Sequence, residues 1–336
     1  MGLAAALLFG VSTPVAKLLL PGSGPFMMAG LLYLGSGLGL LAVPSFRRGG
    51  REAPLRRGDV APLLGVVLAG GVFGPVLLMY GLARLPGSSA SLLLNLEAPF
   101  TIALAVLVLG EALDRAEALG AAAVVAGAAV LSLQGPFGGV EALGAMSVAG
   151  ACLAWAVDNN LSQRLSLHDP VAVVRVKSLV AGSVNILLAL AIGERVAGGP
   201  ALLGAMVTGL LGYGASIVLH LRATRHLGAA RQAAFFATAP FAGALVSVPL
   251  LGDRLSVRSL GAATLMATGV VAMVRARHAH GHTHERLEHE HAHEHDAHHQ
   301  HVHQERLSGP HSHSHEHAFL VHDHAHLPDA HHRHRH

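Results

Sequence analysis

The chain has 336 residues, 52% of them hydrophobic and 13% charged, with a formal net charge of +3. A soluble domain carries about 25% charge, so a soluble enzyme and a nucleic-acid-binding domain are poor fits. Cys152 is the only cysteine, which excludes an internal disulfide and a cysteine-based zinc site.

Residues 1–275 break into apolar runs long enough to cross a hydrocarbon core of about 30 Å at about 1.5 Å per helical residue. Spans are predicted at 2–20, 26–44, 60–83, 89–109, 116–134, 143–163, 170–192, 201–221, 229–250 and 257–275. Ten such runs in series with short connections predict an all-α integral membrane protein in a lipid bilayer. The first run has no basic segment before it and no small-residue cleavage site, so a removable signal peptide is not expected.

The polar residues inside these runs are few, and each needs a partner or water at bilayer depth. Span 1 carries Lys17, and span 3 ends near Tyr80, a rare aromatic with a hydroxyl. Span 4 holds Asn95 and Glu97 just before Pro99, whose missing N–H frees the carbonyl of Asn95; Pro240 repeats the device in span 9, behind Gln232. Span 6 contains Asp158, Asn159 and Asn160, consecutive positions that sweep about 300° of a helix, so at least one faces inward. In span 7, Arg175, Ser178, Gly182 and Asn185 follow helical spacing along one face, a small and polar stripe suited either to a wet path or to close helix packing. Lys177 is off that stripe and is expected to snorkel toward the inner surface.

Loop charge sets the orientation. With the N-terminus inside, Arg47, Arg48, Arg51, Arg56, Arg57, Arg115, Arg164, Arg222, Arg225, Arg231, Arg275 and Arg277 are cytoplasmic, against Arg84, Arg195, Arg254 and Arg258 outside. Both termini are therefore expected in the cytoplasm.

The two parts of the membrane region also align with each other. Phe9–Pro14 lies over Trp155–Asn160, Ala83–Gly87 over Thr224–Gly228, Ala98-Pro99-Phe100 over Ala239-Pro240-Phe241, and Leu109–Leu113 over Leu251–Leu255. The order is kept and the offset drifts only from 146 to 141. Each copy holds an odd number of spans, so the second enters the membrane upside down, as in the inverted repeats of secondary transporters. The predicted domains are 1–135 and 136–275, each a five-helix repeat, followed by 276–336.

The chain resembles the EamA-like branch of the drug/metabolite transporter superfamily. The resemblance is carried by Leu8-Phe9-Gly10 with Ser12-Thr13-Pro14 and Lys17 in span 1, by Ala90 to Pro99 in span 4, and by Leu109-Gly110-Glu111. It implies an inner-membrane carrier with a central cavity worked by alternating access. Members of the family often carry an arginine early in span 2, where this chain has Gly30; Arg175 stands at the matching place of the second copy.

The expected function is a secondary transporter, a proton-coupled exporter, of a small organic metabolite or drug-like compound. The candidate substrate-binding and coupling residues are Glu97, Asp158, Asn159, Asn160, Arg175, Ser178, Asn185, Tyr80, Asn95, Lys17 and Gln232. Glu97 is read as either a proton-coupling carboxylate or a partner of Lys17. No phosphate-binding glycine loop, nucleophile elbow or helical histidine pair is present, so neither an enzyme nor a required cofactor is expected, and no nucleic acid is an expected partner. A homodimer is compatible with this reading.

Beyond Arg275 lie 23 of the 26 histidines. Their alternation with Glu and Asp offers ligands to Zn, Ni, Co or Cu ions, from His278, His280, His282, His284, His289, His291, His293, His295, His311, His313, His315 and His317. The segment is too polar to form a core and is expected to be a disordered, metal-binding regulatory tail. The rival reading makes the whole protein a divalent metal transporter fed by that tail.

Overall fold

The computed structural model describes residues 1–42, 57–109, 113–132, 140–162, 165, 169–196, 198–227 and 229–275, and the backbone of 278–284, 287–293, 311–317 and 320–326. The segment holding Arg47 to Arg56, together with Glu111, Arg164, Arg277 and His295, lies outside the described residues.

The body is all-helical. Its helices in chain order are α1 (Gly2–Leu19), α2 (Pro25–Leu41), α3 (Val60–Leu82), α4 (Gly87–Val108), α5 (Arg115–Ser132), α6 (Glu141–Ser162), α7 (Val171–Ala191), α8 (Gly199–Ala223), α9 (Gln232–Leu251) and α10 (Val257–Arg275). Nine of these, among the described residues, are long and apolar enough to cross a membrane; α2 is apolar but has 17 residues. Leucines such as Leu107, Leu187 and Leu203 keep most of their surface exposed, as lipid-facing side chains do. The inner faces close on Met27, Met28, Leu32, Leu78, Met79 and Leu92.

Helices α2 and α7 pack along their lengths, as do α5 and α10, while α1 lies against α9 and α3 against α6. The α2–α7 seam at Gly30 is close-packed. A methyl group there would come within 2.7 Å of Ile186, so no long side chain fits without parting the helices.

Four helices are not regular throughout. In α3 the turns widen to π-helix over Val67–Phe73, and in α8 over Gly209–Ala215, an offset of 142 residues. In α4 a 3₁₀ segment covers Leu94–Leu96, before Pro99. In α9 the helix stops at Phe236 and resumes at Ala239, before Pro240. Each proline removes the N–H that would have closed the preceding turn, and the backbone relaxes there. Pro75 acts likewise on the carbonyl of Gly71 at the end of the first π segment.

Beyond the helices the described backbone includes four short strands. Strands β1 (His278–His284), β2 (Leu287–His293), β3 (His311–His317) and β4 (Leu320–His326) form two antiparallel pairs, β1 with β4 and β2 with β3. The His-x-His alternation has the period of two of a strand. The register sets histidine opposite histidine, as in His280 with His324 and His291 with His313.

Candidate functional site

The polar residues of α4 and α6 meet in the middle of the bundle. The 3₁₀ turn ends at Leu96, and Glu97 opens the α-helical segment that follows. Its Oε1 accepts from Asn159 Nδ2 at 2.8 Å. Asn160 Nδ2 donates to the carbonyl of Ala156 at 2.8 Å and reaches that of Thr101 at 3.3 Å. Glu97 is half-buried and Asn159 exposed, so this pair stays accessible while Asp158 beside it is buried.

Asp158 points the other way around α6, where it forms an ion pair with Lys177 and accepts from Ser162 Oγ at 3.2 Å. This corrects the expectation for Lys177, which does not snorkel away. Two buried opposite charges relieve each other's desolvation, and that holds the ammonium in the bundle. Gly70 of the π segment permits the approach, because a methyl group at that position would fall on the Asp158 carboxylate.

Two carbonyls of the π segment accept from side chains of other helices. Gly70 O accepts from Tyr33 Oη at 2.6 Å and from Trp155 Nε1 at 3.1 Å, and Gly71 O accepts from Asn185 Nδ2 at 3.0 Å. Non-helical backbone survives at membrane depth only when protein or a water-lined cavity satisfies it.

An aromatic cluster adjoins this network through Trp155, which sits one helical turn before Asn159 on α6. Phe9 of α1 is at its centre, with ring centroids 6.5 Å from Trp155, 5.9 Å from Tyr213 and 5.3 Å from Phe236. Tyr33 stacks obliquely on Tyr213 at 5.4 Å, and His220 meets Phe236 edge-on at 4.5 Å. Sequence reasoning passed over Phe9, Tyr33, Trp155 and Tyr213. Their signal was rarity, since the chain has one tryptophan and three tyrosines.

The remaining candidates are placed elsewhere. The stripe on α7 packs against α2: Ser178 Oγ lies 3.0 Å from Ser36 Oγ, and Arg175 Nε donates to the carbonyl of Leu40 at 3.1 Å. The stripe's polar groups therefore bind α2 and the π segment of α3. Lys17 does not approach Glu97. Its ammonium donates to the carbonyls of Leu82 and Leu85 at 2.6 and 2.7 Å, where a cation complements the end of α3. Tyr80 sits near that rim, with Arg84 over its ring at 5.5 Å and Phe26 edge-on at 6.3 Å. Asn95 is buried, donating to Leu92 O at 2.8 Å, and Gln232 is paired with His220 at 3.0 Å.

Comparison with known proteins agrees with a membrane carrier. The sequence model of the EamA-like transporter family matches residues 1–133 and 142–275. The chain belongs to the EamA-like transporter family. An uncharacterised transporter of Methanothermobacter thermautotrophicus is 29% identical over 283 residues, spanning 79% of this chain and 82% of its own. The uncharacterised inner membrane transporter YedA of Escherichia coli is 26% identical over 235 residues, 69% of this chain and 76% of its own. A solved structure described only as a crystal structure of a protein shares the fold, with a TM-score of 0.59 at 20% identity over 81% of this chain and 98% of its own. This EamA-like chain is thus a multi-pass membrane transporter. The family assignment also fits the absence of enzyme motifs in its sequence.

Proposed function

We propose that this transporter is a secondary carrier of a small organic solute, working by alternating access between two inverted five-helix halves, with both termini in the cytoplasm. The pairing of α2 with α7 and of α5 with α10, positions five apart in helix order, supports that symmetry. So does the offset of 142 residues between the two π segments.

The observation that carries the reading is Glu97. It is an accessible carboxylate at the loosened turn of α4, held by Asn159 of the other half. A carboxylate that exchanges its hydrogen-bond partners as the halves rock can take up a proton on one side and release it on the other, which makes Glu97 the coupling group. Asn159 and Thr101 flank it, and the Asp158–Lys177 pair is the charged neighbour on α6 and α7.

Flux into proteoliposomes, with a metabolite panel at two pH values, tests this. Glu97→Gln is expected to lower proton-driven flux about 100-fold and flatten its pH dependence. Intact flux and pH dependence in Glu97→Gln would falsify the coupling role.

For the tail we propose reversible binding of Zn, Ni, Co or Cu as a cytoplasmic regulator, supported by the histidine-on-histidine register. Calorimetry on the whole protein should find a dissociation constant below roughly 100 µM, lost on deleting 278–336. Among the described residues, no group of three or more His, Cys, Asp or Glu side chains is placed to hold a metal ion. No observation therefore favours metal as the transported species.

A further inference from the structure

A groove of about 450 Å³ is lined by Phe26 of α2, by Leu68, Phe73, Val76 and Tyr80 of α3, and by Leu188 of α7. Apart from the Tyr80 hydroxyl its walls are hydrocarbon. Leu68, Phe73 and Leu188 are exposed, so the groove opens sideways, to the hydrocarbon of the membrane. From Leu68 to Tyr80 α3 rises about 18 Å at about 1.5 Å per residue, close to half of a core about 30 Å thick. The groove therefore has the depth of one leaflet and suits one extended acyl chain.

Its rim end carries charge. Arg84, on the turn after α3, has its guanidinium carbon 5.5 Å from the centre of the Tyr80 ring, and Phe26 meets that ring edge-on at 6.3 Å. Arg84 Nη1 donates to the carbonyl of Tyr80 at 2.8 Å, and no carboxylate among the described residues pairs with it. The acids of the same rim are committed elsewhere: Glu194 accepts from the N–H groups of Phe26 and Met27, and Asp253 from that of Ser88. Most of the guanidinium fork is left for an oxyanion, and its geometry matches phosphate. Arginine beside tyrosine is also the pairing found where hydrocarbon gives way to headgroups.

We propose that this groove binds an anionic phospholipid of the bilayer, with one acyl chain along α3 against α2 and α7 and the phosphate at Arg84. A zwitterionic lipid presents the same phosphate but adds a quaternary ammonium that Arg84 repels, so the lipid of net negative charge is favoured. Helices α2 and α3 lie in the first family-matched segment and α7 in the second, so the bound lipid touches both.

Native mass spectrometry of the full-length protein in detergent tests this, with phosphatidylglycerol and phosphatidylcholine of identical acyl chains as probes. Phosphatidylglycerol is expected to bind at least about tenfold more tightly. Arg84→Gln should bring it down to the level of phosphatidylcholine, while Arg84→Lys, which keeps the charge without the fork, restores part of the difference. Leu188→Trp, which puts a large ring into the groove from an exposed position, should weaken both lipids by about fivefold. Circular dichroism on each variant confirms that it is folded. Equal affinity for the two lipids, or a preference that survives Arg84→Gln, overturns the proposal. So does unchanged binding of both lipids in Leu188→Trp, which would put them elsewhere on the protein. A lipid-free dimer that is lost in Leu188→Trp would give the groove to a second copy of the chain and overturn it as well.

Discussion

Two regions of the bundle use charge in different ways. At the rim formed by the turns 20–24, 83–86, 192–196 and 252–256, charged side chains close helix ends. Lys17 takes the carbonyls of Leu82 and Leu85, Glu194 accepts from the N–H groups of Phe26 and Met27, and Asp253 accepts from that of Ser88 at 2.7 Å. Those backbone groups have no intrahelical partner, so an ion at each terminus is stabilising and its geometry is fixed. In the middle of the bundle, by contrast, Glu97 holds only a side-chain amide from another helix, and side chains can exchange partners in a way that helix ends cannot. The rim is built to hold, and the centre is built to change. Variants at the rim should therefore alter stability and spare recognition, and variants at Glu97 should do the reverse.

The Asp158–Lys177 pair is the sharpest test of that division, because it lies in the centre yet behaves as structure. Its side chains keep only 9% and 17% of their surface. Removing either partner strands the other charge in a low dielectric, at a cost of about 3–5 kcal/mol. Asp158→Asn and Lys177→Met should each lower the thermal midpoint in detergent sharply. The double variant should recover most of the loss, because no lone ion remains. If the single variants unfold no earlier than the parent but lose transport, the pair is part of the moving machinery and the comparison must be redrawn.

Smaller in effect is Lys17→Met, which keeps the length of the side chain and removes the ammonium. Two carbonyls at the end of α3 then lose a charged donor, and the expected cost is about 2 kcal/mol. Flux in proteoliposomes should stay within about twofold of the parent. A change in flux larger than the change in stability accounts for would place Lys17 in the transport cycle.

These contrasts also show what a sequence can carry. The helical runs were legible because lipid demands long apolar stretches, and the loosened turns before Pro99 and Pro240 because a missing N–H acts locally. The structure has the 3₁₀ segment at Leu94–Leu96 and the helix break after Phe236. The partner of each polar residue was not legible, since spacing along one helix says nothing about the helix facing it. Arg175, Ser178 and Asn185 do share a face, but that face meets α2 and the π segment of α3. Lys177, off the stripe, is the residue that reaches Asp158. The tyrosines make the same point: Tyr80 was singled out and sits near the rim, while Tyr33 and Tyr213 are in the centre.

The smallest effect concerns the start of α2. Glu194 Oε2 accepts from Met27 N at 2.8 Å and Oε1 from Phe26 N at 3.4 Å, so the carboxylate spans the first N–H groups of the helix. Glu194→Gln keeps an acceptor oxygen but removes the charge that complements the helix terminus, a loss of about 0.3–1 kcal/mol. Gly24 is the neighbour that makes the contact possible, because a Cβ there would overlap the Glu194 carboxylate. Gly24→Ala should therefore dislodge the acid and cost at least as much as Glu194→Gln. Since both variants break one contact, the double variant should be no less stable than Gly24→Ala alone. Additive losses in the thermal midpoint would mean that Gly24 and Glu194 act separately, and that the rim is closed by something other than this cap.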